Sequence, residues 1–136
     1  MKKTCPYLSF NGNCAEVIAH YEKAFNVKAN VVLYKDSPPA MGMTELGHQV
    51  FDAQLKIDND TLMFNDVMPG MPPANVDGNI MLTIKFDEAD ADSMKATFNT
   101  LKDGGQVLMD ICEVPWSKCF GLVLDKFGVK WNICQN

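Results

Sequence analysis

The chain has 136 residues, of which 47% are hydrophobic and 21% are charged, so it can bury the core of one globular domain. A formal net charge of −5 with scattered lysines excludes a nucleic-acid-binding surface, which needs clustered Lys and Arg. No apolar run approaches the roughly 20 residues that span a bilayer, and the first strand pattern begins at Pro6. We therefore expect a cytoplasmic protein without nucleic-acid or membrane partners.

The first half of the chain predicts a strand, a helix and three further strands. Pro6 to Phe10 alternates and ends at a turn, "NGN". Asn13 and Glu16 then form a capping pair for a helix in which Val17, Ile18, Tyr21 and Phe25 recur at helical spacing. The three strands are predicted at Lys28 to Lys35, Gln49 to Ile57 and Thr61 to Asn65.

The segment "GHQVFDAQLKID" is the third of these strands. Strict alternation would place His48, Val50, Asp52 and Gln54 on one face, and Phe51, Ala53 and Leu55 on the other. His48 and Asp52 are therefore not a pair of metal ligands on one turn of a helix.

The second half repeats this order after a loop rich in Pro and Gly. Strands are predicted at Ile80 to Phe86, Val107 to Cys112, Cys119 to Leu124 and Val129 to Cys134, with a helix after the first that stops at Gly104. Sliding the first half by 76 positions aligns Phe10 with Phe86 and Ile18 with Met94. We predict a single domain of two βαβββ modules, residues 1–66 and 80–136, joined by a connecting loop at residues 67–79.

The motifs "PYLSFNGNCAEVIAHYEKAF", "AQLKIDNDTLMFND" and "GGQVLMDICEVPWSKCFGLVLDKFGVKW" resemble the PhnB-like branch of the vicinal oxygen chelate superfamily, which includes glyoxalase I, extradiol dioxygenases and bleomycin-resistance proteins. The resemblance implies an α+β fold in which the modules form one curved eight-stranded mixed sheet with helices on its convex side. It also implies a homodimer and a pocket in the concave face. Some relatives are labelled demethylubiquinone methyltransferases, but the single glycine of "FNGNCAE" does not make the glycine-rich turn that usually binds S-adenosylmethionine.

The first functional hypothesis is binding of a small-molecule ligand in this pocket without a catalytic metal or other cofactor, and no catalytic residue is assigned. The predicted ligand-binding residues are Tyr7, Ser9, Asp52, Gln54 and Trp116. Asp52 stands where PhnB-like proteins commonly have a histidine. For Trp116, a large side chain in the loop "EVPWSKCFG", three roles stay open: covering the pocket, meeting a second subunit, or packing within the protein.

Two alternatives remain open. A metal-dependent lyase, transferase or dioxygenase would hold a divalent ion with Asp52, Glu113 and His48, but with two histidines in the chain a set of about three ligands is hard to assemble. A protein-interaction module would use the methionines of two loops, Met41 and Met43 in the first and Met68 and Met71 in the second. Cys119 is expected to be a packed strand residue and not a nucleophile.

Overall fold

A computed structural model of the protein describes residues 3–37, 46–75 and 78–135. The chain divides into two compact units, Met1–Ala74 and Asn75–Asn136, and the boundary falls inside the connecting loop predicted at residues 67–79. Each unit contains a four-stranded mixed sheet and one long helix in the order βαβββ. The α+β class and the tandem modules are therefore confirmed, and the eight predicted strands are hydrogen-bonded as two sheets of four.

The first unit is built from β1, α1, β2, β3 and β4. Their bounds are Tyr7–Phe10, Cys14–Phe25, Asn30–Leu33, Val50–Ile57 and Asp60–Asp66, respectively. The strand order is β1-β4-β3-β2, with β1 parallel to β4 and the other neighbours antiparallel. β2 is shorter than predicted because the chain turns into a short 3₁₀ helix at Tyr34–Asp36.

The second unit repeats this plan with β5, α2, β6, β7 and β8. Their bounds are Met81–Phe86, Ala91–Lys102, Gln106–Val114, Ser117–Leu124 and Lys130–Gln135, respectively. The strand order β5-β8-β7-β6 matches that of the first unit, and β5 runs parallel to β8. The described part of the chain contains no helix long and apolar enough to cross a membrane.

A bulge in β3 corrects the predicted assignment of its faces. Val32 pairs with Asp52 but Leu33 pairs with Val50, which leaves Phe51 as an extra residue on β3. The extra residue changes the phase of the alternation, so Val50 is fully buried with Ala53 and does not share a face with Asp52. The prediction for Asp52 and Gln54 is unaffected because both follow the bulge.

The start of α1 is held by a buried carboxylate from another strand. Asn13 occupies the N-cap position but makes no side-chain capping hydrogen bond, so the predicted Asn13–Glu16 capping pair is wrong. Instead, Asp66 Oδ1 accepts hydrogen bonds from the backbone N–H groups of Gly12 (2.8 Å) and Cys14 (3.0 Å). Its Oδ2 accepts the N–H of Val50 at 2.8 Å. One carboxylate thus joins the ends of β1 and β4 to the start of α1 and of β3.

The same region is closed by polar groups around Asp66. Tyr34 donates its hydroxyl to the Asp66 carbonyl oxygen at 2.9 Å. Burial, and after it the Asp66 charge, raises the pKa of both the Tyr34 hydroxyl and the Cys14 thiol, so both groups stay protonated. The Asn11 amide exchanges two hydrogen bonds with the Ala74 backbone, at 3.2 and 2.8 Å, and so fixes the end of the first unit.

A second buried carboxylate organises the β7–β8 turn of the second unit. Asp125 Oδ1 accepts the N–H groups of Phe127 and Val129 at 2.9 and 3.0 Å, and its Oδ2 accepts the indole N–H of Trp131 at 2.9 Å. Trp131 is fully buried, so its N–H requires an acceptor inside the protein. The Asp125 side chain therefore fixes the turn and also accepts the indole hydrogen bond of Trp131, the largest fully buried side chain.

β6 is an edge strand of the second sheet and is irregular along its length. Val107, Leu108 and Met109 are each at least 40% exposed. Its pairing with β7 shifts register between Val107 and Met109, between Met109 and Cys112, and between Cys112 and Val114. The strand thus presents apolar side chains on an interrupted ladder.

Replacement of Asp66 by Asn should destabilise the protein by about 3 kcal/mol, because an amide cannot accept all three N–H groups and its own NH₂ would oppose one of them. Urea denaturation measures the free energy of unfolding. Asp60→Asn, at an exposed position of the same strand, is the matched control and should change it by less than about 0.5 kcal/mol. Equal effects of the two substitutions would contradict the role given to Asp66.

Gly105→Ala should also be destabilising, by about 3 kcal/mol, because a Cβ there would collide with the backbone oxygen of Leu124 and lie 2.9 Å from the Asp125 Cα. Gly78→Ala is the control, since a Cβ at Gly78 would meet nothing within 4 Å. Thermal and urea denaturation of the two variants test the difference. A Gly105→Ala variant as stable as Gly78→Ala would show that the backbones are not so close at this point.

Candidate functional site

The first sheet has one face covered by α1 and one face that α1 leaves open. The rings of Tyr21 on α1 and Phe64 on β4 lie 5.8 Å apart, which places Phe64 on the covered face. Alternation then puts Met63 and Asn65 on the opposite face, and the strand register adds their neighbours on β1 and β3. We call this the first open face; its members are Tyr7, Ser9, Asp52, Gln54, Met63 and Asn65.

Tyr7 and Asp52 meet on the first open face. The Tyr7 hydroxyl donates a hydrogen bond to Asp52 Oδ1 at 3.3 Å, although the two residues are 45 positions apart in sequence. Tyr7 lies on β1 and Asp52 on β3, so the phenol reaches across β4, which separates these strands. Tyr7 remains 48% exposed and Asp52 is half-buried, so the Tyr7 ring stays accessible to solvent.

This contact changes the acid–base chemistry of Tyr7. Partial burial, followed by the charge and the hydrogen bond of Asp52, raises the pKa of Tyr7 from 10.0 to about 12. The folded protein therefore holds the phenolic proton to higher pH than the unfolded chain does. The associated stabilisation is complete below pH 10.0 and is lost as the pH rises through about 12. At neutral pH the phenol is a hydrogen-bond donor and not a base.

The neighbouring side chains add further polar and soft groups. Ser9 donates its hydroxyl to Asn65 Oδ1 at 2.7 Å, which orients the Asn65 amide. The Cys5 thiol lies 3.4 Å from the Met63 thioether sulfur. Gln54 is exposed and stands opposite Asn30 on β2 and Met63 on β4. The face thus combines one carboxylate and several amide and hydroxyl groups with a methionine.

Trp116 lies in the second unit, in the two-residue turn Pro115–Trp116 between β6 and β7. Its side chain is 71% exposed and meets the ring of Phe120 edge-on at a centroid distance of 5.5 Å. The structure therefore groups four of the five predicted ligand-binding residues on the first open face. A ligand role for Trp116 stays a prediction.

The residues of the metal hypothesis are not gathered into a ligand set. Asp52 lies on β3, Glu113 is exposed on β6 in the second unit, and His48 is exposed just before β3. Within residues 3–37, 46–75 and 78–135, no group of three or more His, Cys, Asp or Glu is placed to hold a metal ion. The donors do not fit a divalent metal there, and we assign no step to one.

The methionine loops are described only in part. Met41 and Met43 lie outside the described residues, while Met68 is half-buried and Met71 is exposed. Cys119 is half-buried on β7, at the strand position predicted for it.

The β4 members of the first open face, Met63 and Asn65, are not among the site residues predicted from the sequence. Their signal was available in "TLMFND", where Leu62 and Phe64 are apolar and Met63 and Asn65 alternate with them. The shared face was not predictable because β4 also pairs with β1, more than fifty residues away in sequence. Asp66 was missed for the same reason, since its three partners lie on other elements.

The chain is 32% identical to Protein YjdN of Escherichia coli (strain K12) over 141 residues, which span 94% of this chain and 91% of that protein. The protein belongs to the PhnB-like family of the vicinal oxygen chelate superfamily. No family model matches the chain. The family assignment therefore rests on this relative and on the fold.

Solved structures agree with the family. The protein is similar to protein PA1353 from Pseudomonas aeruginosa, with a TM-score of 0.83, 29% identity, and coverage of 100% of this chain and 98% of that one. A PhnB protein from Bacillus cereus gives a TM-score of 0.73 at 21% identity, with coverage of 99% of this chain and 100% of that one. A glyoxalase-related enzyme from Fulvimarina pelagi gives a TM-score of 0.61 at 17% identity, with coverage of 99% of this chain and 89% of that one. The last two support the fold alone.

Asp52→Asn should lower the pKa of Tyr7 but leave it above 10.0, because the charge of Asp52 is removed while partial burial, the largest cause of the shift, remains. NMR titration of tyrosine labelled at Cζ reports the pKa, and Tyr7→Phe assigns the resonance. Asp60→Asn, which removes an exposed carboxylate from the neighbouring strand, should leave the titration unchanged. If Asp52→Asn also left it unchanged, the electrostatic link between Tyr7 and Asp52 would be refuted.

Proposed function

We propose that the protein binds a small molecule on the first open face, and that the Tyr7–Asp52 pair recognises its polar group. The observation that carries the proposal is the 3.3 Å hydrogen bond between Tyr7 and Asp52 on a face that α1 leaves uncovered. Polar side chains are usually solvated singly on an open sheet face, whereas these two are brought together from β1 and β3. A hydroxyl and a carboxylate held in one place are what a binding site needs to orient a ligand.

The chemistry of the pair supports a ligand with a donor or a positive charge. The Tyr7 proton is directed to Asp52 Oδ1, so Oδ2 is available to accept from a ligand. The Asn65 carbonyl oxygen already accepts from Ser9, which leaves the Asn65 NH₂ to donate. Met63, between Tyr7 and Gln54 in the sheet, provides an adaptable apolar contact. An amine or alcohol with an apolar body matches these groups.

The homodimer, the cytoplasmic location and the ligand role of Trp116 belong to the same proposal. The homodimer is supported by the family resemblance alone. The cytoplasmic location is supported by the sequence expectation, and the role of Trp116 by its exposed ring in the β6–β7 turn. Sedimentation of the purified protein tests the dimer, and a monomer at every concentration would contradict it.

Titration with benzylammonium and with benzyl alcohol tests the binding proposal, with backbone amide NMR shifts of Tyr7, Asp52 and Met63 as the readout. We expect benzylammonium to bind with a Kd of about 1 mM, as suits so small a ligand, and Asp52→Asn to weaken it by about tenfold because the carboxylate charge is lost. Tyr7→Phe should weaken both ligands.

The control is Asp60→Asn, which removes one negative charge from an exposed position of β4 and should leave both affinities unchanged. Binding that Asp52→Asn and Asp60→Asn weaken equally would show only a general charge effect. If the backbone amide shifts of Tyr7, Asp52 and Met63 responded to neither ligand, the binding proposal would be wrong.

A further inference from the structure

The turn between β1 and α1 contains Asn11–Gly12, the one Asn–Gly pair in the sequence. Such pairs are chemically labile because glycine has no Cβ to keep its backbone nitrogen away from the asparagine side chain. The glycine nitrogen attacks the side-chain Cγ and forms a new C–N bond, while its proton passes through solvent to the amide nitrogen, which leaves as ammonia. Water then opens the resulting succinimide at either carbonyl and gives aspartate or isoaspartate. The reaction needs no reagent other than water.

The backbone of this turn requires the glycine. Gly12 has a φ of +97°, a conformation that residues with a side chain rarely adopt. A labile pair is therefore built into the link between the first strand and the first helix. The neighbouring residues can still control how readily the glycine nitrogen and the asparagine amide react.

The attacking nitrogen is held by a buried carboxylate. The backbone N–H of Gly12 donates to Asp66 Oδ1 at 2.8 Å, and Asp66 is fully buried. To attack, this nitrogen must give up its proton and become negative, and a neighbouring like charge at a buried position opposes that step. The contact with Asp66 therefore disfavours the reaction for as long as it persists.

The amide that would be attacked is held as well. Asn11 Nδ2 donates to the Ala74 carbonyl oxygen at 3.2 Å, and Asn11 Oδ1 accepts the Ala74 N–H at 2.8 Å. Nδ2 is the atom that leaves as ammonia, so its departure breaks the first of these bonds. The paired contact also fixes the orientation of the amide. Three hydrogen bonds therefore act on the two reacting groups of this pair.

We propose that Asn11 is a deamidation site that the fold keeps closed through Asp66 and Ala74, so that modification follows local opening of this turn. The inference goes beyond the proposed function, since none of these residues is a member of the first open face. Aspartate or isoaspartate at position 11 has no side-chain N–H to donate to the Ala74 carbonyl oxygen. It also adds a negative charge beside the turn that Asp66 closes. A modified turn therefore closes less well, and the change is one-way.

Mass spectrometry of the peptide that contains Asn11 measures the rate, because the amide and the acid differ in mass. In mildly alkaline buffer the folded protein should deamidate at Asn11 about tenfold more slowly than the same chain in urea, the protection expected when one or two hydrogen bonds must open first. Ala74→Pro removes the N–H that binds Asn11 Oδ1 and should accelerate the reaction of the folded protein about fivefold. Ala74→Ser keeps both backbone groups and should leave the rate unchanged.

Asp66→Asn and Gly105→Ala separate local protection from global stability. Both are expected to cost similar stability, but Gly105 lies in the second unit, whereas Asp66 contacts Gly12 directly. Asp66→Asn removes the opposing charge and should therefore accelerate deamidation of Asn11 more than Gly105→Ala does. Equal rates for these two variants, equal rates for Ala74→Pro and Ala74→Ser, or equal wild-type rates in buffer and in urea would each overturn the inference. None of these outcomes affects the benzylammonium titration, so the two proposals fail separately.

Discussion

Asp66 is a buried carboxylate at the end of β4, and three elements of the first unit direct backbone N–H groups to it. A buried charge is tolerated only when hydrogen bonds replace its hydration, and here three backbone N–H groups do so. Two of them belong to the turn and first residue that begin α1, and the third belongs to the first residue of β3. The carboxylate therefore sets where the helix starts and where β3 enters the sheet. Because Asp52 lies two residues after Val50, the same interaction helps to place Asp52 within hydrogen-bonding distance of the Tyr7 hydroxyl.

The two units use one architecture for different chemistry. The register that pairs Phe10 with Asp66 in the first sheet pairs Phe86 with Gln135 in the second, so a buried neutral amide replaces the buried charge. At the equivalent strand positions Tyr7 and Thr83, the partner of Tyr7 is Met63, while the partner of Thr83 is Asn132. The internal repeat thus preserves strand order and register, while side chains at equivalent positions differ both inside the units and on the sheet faces opposite the helices. This is the pattern expected when a duplicated scaffold keeps its strand order and varies its side chains.

The element order, the repeat and most core residues were predictable because they depend on local periodicity. Leu55 in β3, and Ile18 and Tyr21 in α1, are buried as their spacing predicts. The β3 bulge was not predictable, because one extra residue is visible only when β2 is paired with β3. The predicted Asn13 cap is wrong because the backbone N–H of Cys14, at the start of α1, donates instead to the Asp66 carboxylate, 52 residues away in sequence. Of the candidate site, Tyr7, Ser9, Asp52 and Gln54 could be named from alternation and family resemblance, but their contacts depend on β4 lying between β1 and β3.

The interrupted ladder of β6 bears on how the protein avoids uncontrolled association. An exposed strand edge with Val107, Leu108 and Met109 would ordinarily recruit strands from other chains, since its free N–H and C=O groups form a template. Three register shifts within nine residues disturb the regular spacing of those groups. An incoming strand could not form a continuous ladder with such an edge, so the apolar side chains remain usable for contacts while sheet extension into fibrils is discouraged.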